Sequence, residues 1–123
     1  MRNVAALAVA EPVSIDETRL QGIVNQLGDA AAGGLIRLTL EQMALAVQAL
    51  RVETGGPEAV AVQAQRLSRL AWQVGLVTLA GVAVDIADCA QAGDPVALQA
   101  TLARMERVAK RSLTEIWENV TPR

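Results

Sequence analysis

The 123-residue chain has no histidine, no phenylalanine and no tyrosine, and it has one cysteine and two tryptophans. The missing histidine removes the commonest general base, metal ligand and phosphoryl carrier. With Cys89 as the one thiol, no internal disulfide can form, and a zinc site would have to rest on carboxylates. The acidic residues are scattered, and none makes the Glu-x-x-His pattern of a di-iron bundle. No metal and no other cofactor is expected. Ser68, Ser112 and the threonines have no evident base beside them, so no enzymatic activity is expected either. Cys89 lies in an apolar run and reads as a small core residue, with the cytoplasm as the default location.

Charge of one sign is also lacking. A formal net charge of -2 gives no overall attraction to nucleic acid or anionic lipid. Arg104, Arg107, Lys110 and Arg111 crowd the last part of the chain, but Glu106, Glu115 and Glu118 interrupt them and no aromatic residue interleaves them. They read as a solvated outer face, and no nucleic-acid partner is expected. No stretch reaches the ~18 uninterrupted apolar residues of a membrane span. The most apolar one, Leu76 to Val84, is ended by Asp85 and Asp88, so no membrane partner is expected. The opening MRNVAALAVA has too short an apolar run, followed too soon by Glu11 and Pro12, to read as a signal peptide. Residues 1–13 are expected to form a flexible arm.

What is present is leucine, valine, isoleucine, alanine and methionine, enough for one domain with a core built without aromatic rings. This composition, rich in good helix formers and poor in aromatic strand formers, points to an all-α protein. Ser14 and Glu17 have capping-box spacing, so a short helix is expected from near Ile15, with Leu20, Ile23, Val24 and Leu27 on one face and Gly28 ending it. Asp29 can cap a second helix to about Thr54, in which Ile36, Leu40, Met43, Val47 and Leu50 form a bundle seam. Gly33 and Gly34 weaken its first turns, so it could begin nearer Leu35. Gly55, Gly56 and Pro57 break the chain before a third helix from Glu58 to about Val74, which Gly75 ends.

A fourth helix, Leu76 to Ala92, turns Leu79, Ala83, Ile86 and Ala90 inward, and Gly93, Asp94 and Pro95 repeat the stop signal. A fifth runs to about Asn119 with Leu98, Leu102, Met105, Ala109, Ser112 or Leu113, and Ile116 on one side. Short connections between long amphipathic helices predict an up-down-up-down four-helix bundle over residues 14–119, with the additional short N-terminal helix at one end or edge. Residues 120–123 are a tail.

The third helix carries QRLSRLAWQVG, Gln65 to Gly75. Ala64, Leu67, Ala71 and Val74 line one side, and Gln65, Ser68, Arg69 and Trp72 line another. This stretch resembles the signature of the histidine phosphotransfer (HPt) family: His-x-x-Lys-Gly-Ser-Ala or Ala-Ala, then a hydrophobic residue, and Gly ten positions after the His. Leu67, Ala71, Val74 and Gly75 match. SIDETRLQGIVNQLGD is similar to the family's first helix and CAQAGDPVALQATLARME to its last helix-turn-helix, so the resemblance covers about residues 14–118.

The departures fall on the chemistry. Gln65 stands in the place of the phosphorylated His, Ser68 in that of the Lys and Arg69 in that of the small Gly. A glutamine amide has no nucleophilic nitrogen to take a phosphoryl group at neutral pH. The resemblance therefore implies a degenerate, non-catalytic HPt-like module. Its expected partner is a response-regulator receiver domain or a histidine kinase, met through Gln65, Arg66, Ser68, Arg69 and Trp72. The alternatives are a helical bundle for homo-oligomerisation unrelated to phosphorelay, and phosphotransfer through a residue other than His.

Overall fold

Five α-helices and no strand make up residues 11–120, the part of the chain described by this computed structural model. They are α1 (Glu17–Leu27), α2 (Asp29–Val52), α3 (Pro57–Gln73), α4 (Val77–Ala92) and α5 (Pro95–Val120). The all-α helical bundle expected from composition is present, and the expected breaks separate the helices. Pro57 occupies the first turn of α3, Gly93 ends α4 in a left-handed conformation (φ 70°, ψ 35°), and the Asp94 carboxylate accepts from the Ala97 N–H at 3.0 Å.

Helix starts differ from expectation where tertiary contacts intervene. Asp16, not Ser14, caps α1, accepting from the Arg19 N–H at 3.1 Å. Ser14 lies in an extended stretch bound to the α3–α4 junction. Its N–H donates to Thr78 Oγ1 at 2.7 Å, Ile15 bridges antiparallel to Leu76, and the Asp16 N–H donates to the Gly75 carbonyl at 2.7 Å. Asp29 is already helical, with Gly28 at the cap position, and Gly33 and Gly34 stay within α2, where Ala32 is fully buried. Burial overrides the helix-weakening effect of the two glycines.

The core is aliphatic. α3 and α4 share the most extensive interface. Ala61, Ala64 and Ala71 of α3 and Ala80, Ala83 and Ala87 of α4 are all buried, small enough to let the helices approach closely around Leu67, Leu79, Val82 and Ile86. α2 adds Ile36, Met43, Val47 and Leu50, and α5 adds Met105, Val108, Ala109 and Ile116. Leu40, Leu98 and Leu102 are partly buried against this cluster. Leu27, expected inward, is 48% exposed, because it is the last residue of α1. Cys89 is half-buried, with its sulfur 3.7 Å from Thr101 Oγ1.

Ser112 takes the buried position that the spacing left open between it and Leu113, and its hydroxyl has no hydrogen-bond partner. An unsatisfied buried hydroxyl costs about 1–3 kcal/mol. Ser112→Ala is therefore expected to stabilise the protein by about 1 kcal/mol in chemical denaturation; a loss of stability would mean that the hydroxyl is bonded in solution.

Residues 1–10 and 121–123, most of the expected arm and tail, lie outside the described residues. The rest of the expected arm is docked: Glu11 accepts from Arg104 Nε at 2.7 Å, and Val13 packs against the core. Among the described helices α2 alone is long and apolar enough, by length and composition, to cross a membrane, and a third of that stretch is buried inside the bundle.

Candidate functional site

Helix α3 forms because Pro57 and Glu58 suit its first turn and alanine recurs through its body. Gly75 ends its trailing turn with φ 77°, and a Cβ there would meet the Asp16 carbonyl oxygen at 2.7 Å. The buried stripe Ala61, Ala64, Leu67, Ala71 leaves the opposite side of α3 in solvent.

All five residues expected at the site are accessible and share this outward side. Gln65, Arg66, Arg69 and Trp72 are exposed, Trp72 by 52%, and Ser68 is half-buried at the edge of the stripe. Gln65, Arg69 and Trp72 follow one another at steps of four and three, the spacing that stacks side chains on one helix face. Arg66 Nη2 donates to Gln42 Oε1 at 2.9 Å, tying the face to α2. The Gln65, Ser68 and Arg69 side chains make no hydrogen bond or ion pair among the described residues.

The Gln65 amide is not a nucleophile, and among the described residues the Ser68 hydroxyl has no base in hydrogen-bond contact. Among the described residues no three Cys, Asp or Glu side chains gather where a metal could bind. What the face displays is two guanidinium groups and an indole, residue types that dominate protein interfaces.

The basic residues of α5 are largely matched by carboxylates. Arg104 and Arg107 hold Glu11 at 2.7 and 3.4 Å, Arg111 meets Glu115 at 3.3 Å, and Arg51 of α2 grips Glu106 through two bonds of 2.7 Å. The hydrogen bond from Arg104 holds the Glu11 carboxyl below its usual range, and that from Arg51 does the same for Glu106. Both pairs thus favour the folded state above the ordinary carboxylate range and lose that effect as pH falls through the lowered values. Their arginines reach solvent and Glu11 is only half-buried, so their contribution is small. A groove of about 960 Å³ lies between α2 and α5, with Val47, Ala109, Lys110 and Leu113 among the residues that line it.

Helix α2 also carries an apolar row on its outer side. Leu35, Leu38, Leu45 and Val52 are 44, 54, 60 and 62% exposed. Their spacing is a second apolar repeat beside Ile36, Met43, Val47 and Leu50, and it could have been found by testing every phase of the heptad.

Compared with known proteins, the chain matches no protein family, no curated protein and no solved structure.

Proposed function

We propose that the chain is a non-catalytic, HPt-like interaction module of two-component signalling. On this reading its four long helices run up-down-up-down with α1 as the additional short helix, and it docks a response-regulator receiver domain or a histidine kinase in the cytoplasm without carrying phosphate. The observation that carries the reading is the exposed row Gln65, Arg69, Trp72 on α3. It occupies the helix face where the resemblance puts the phosphorylated histidine, over a packing pattern, Leu67, Ala71 and Val74, that is fully buried.

The physical chemistry of docking follows from those side chains. The resemblance implies that a receiver presents an acidic pocket to this face. Arg69 makes no ion pair among the described residues and is free to enter such a pocket. There its guanidinium offsets the negative charge of the acidic pocket in place of a metal ion. Trp72, one turn away, has an exposed indole to bury against the partner's rim.

Arg69→Ala and Trp72→Ala should each weaken receiver binding by about 2 kcal/mol, or roughly 30-fold in Kd, in calorimetric titrations. Binding that is unchanged in both variants would overturn the assignment of this face.

A further inference from the structure

We infer that α2 carries a second docking face, occupied by α2 of a second copy of this chain in a parallel, in-register pair. The observation is the outer row Leu35, Leu38, Gln42, Leu45, Ala49 and Val52, which alternates steps of three and four. That alternation is the heptad pattern of a two-stranded seam, here about 26 Å long. The bundle does not use it: the four large aliphatic residues are 44 to 62% exposed, while the core takes Ile36, Met43, Val47 and Leu50 instead. A heptad row is most closely matched by a helix with the same repeat, and this chain supplies one.

Charge and polarity select the orientation. Ala32, Thr39 and Ala46 flank the row on one side and are buried, which is the side toward α3 and Arg66. Glu41 flanks it on the other side, exposed and without an ion pair among the described residues.

In a parallel pair these unlike flanks face each other, so Glu41 of each copy approaches Arg66 of the partner subunit, twice by symmetry. An antiparallel pair, with Leu35 opposite Val52 of the partner subunit, would set Glu41 beside the neutral Gln48 of the partner subunit and away from Arg66. The parallel arrangement also places Gln42 against Gln42 of the partner subunit. Its Oε1 already accepts from Arg66 at 2.9 Å, leaving the amide N–H groups to donate across the seam. A single polar layer of this kind fixes register and limits assembly to two strands. Gln65, Arg69 and Trp72 lie farther round α3. The inference does not rest on the phosphorelay reading.

Analytical ultracentrifugation of the full chain tests it. The parent chain should sediment as a species of twice its 12.9 kDa mass, and L38E/L45E as a monomer with unchanged helix content. These side chains are exposed, so loss of the dimer would not reflect unfolding. Orientation is read from L35C in a C89S background: mild oxidation should give a covalent dimer, because the parallel register sets position 35 against itself, whereas an antiparallel pair would set it near position 52. A parent chain that is monomeric at about 100 µM, a concentration that saturates a micromolar dimer, overturns the inference. So does a dimer that survives L38E/L45E, a failure of L35C to cross-link, or binding of a monomeric parent to phosphatidylcholine vesicles through the same leucines.

Discussion

The triple variant Gln65→His, Ser68→Lys, Arg69→Gly is expected to take up phosphoryl groups from a phosphorylated receiver domain, where the parent chain takes up none. The histidine would stand on an exposed position of α3, over a buried stripe that the three substitutions leave intact. Lysine at the half-buried position 68 can run its aliphatic stem along the helix and hold its ammonium beside the phosphoryl group, three residues from the histidine. Such a charge-assisted hydrogen bond is worth about 1.5–3 kcal/mol. Glycine at 69 removes the bulk of the arginine, at a cost in helix stability of about 1 kcal/mol.

Radiolabel transfer from a phosphorylated receiver measures the effect, with an acid-labile, base-stable product identifying phosphohistidine. Gln65→His alone should label more weakly, lacking the cation. A triple variant that keeps the parent's helix content yet takes no label from any receiver would contradict the proposed relation to phosphotransfer domains.

Gly75→Val should be the most damaging single substitution at the site's end of α3. Position 75 has φ 77°, a left-handed conformation that costs a side-chain-bearing residue about 1–2 kcal/mol, and more when the residue is β-branched. A Cβ there would also meet the Asp16 carbonyl oxygen at 2.7 Å and the Asp16 Cβ at 3.3 Å. Relief requires the segment 14–16 to move off the α3–α4 junction. That would break the Asp16 N–H to Gly75 carbonyl bond of 2.7 Å and the Ile15–Leu76 bridge.

The combined loss should be at least about 3 kcal/mol, or roughly 10–15 °C in Tm for a domain of this size. Gly22→Ala is the control. It lies within α1 with nothing within 4 Å of an added Cβ, and should gain up to about 1 kcal/mol. Equal Tm values for the two variants would mean that the 14–16 segment is not held at the junction.

Local chemistry made much of this fold readable. Pro57 in a first turn and the breaks at Gly28, Gly75 and Gly93 act through the backbone of their own neighbourhood, and they separate the helices as expected. The misreadings come from longer range. Ser14 has the spacing of a capping box, but pairing across to Thr78 holds it extended and leaves Asp16 to cap α1. By propensity Gly33 and Gly34 weaken the first turns and favour a start nearer Leu35, and the burial of Ala32 and Ile36 keeps them helical.

On α2 a single apolar seam was readable, because one stripe satisfies a bundle. The exposed leucines beside it have the same period and no distinguishing local signal. At the candidate site, periodicity alone separated the buried Leu67 and Ala71 from the exposed Gln65, Arg69 and Trp72. It gave no sign that Ser68 sits half-buried or that Arg66 reaches Gln42. Nor does packing carry partner identity, since any soluble bundle helix has an outward side.

The most direct test of the docking role is therefore a titration of the parent chain against receiver domains of the organism that encodes it, repeated with a genuine histidine phosphotransfer protein as competitor. The account predicts saturable binding to at least one receiver, displaced by the competitor and weakened roughly 30-fold by Arg69→Ala. No binding to any receiver or histidine kinase, or binding that the competitor leaves untouched, would contradict it.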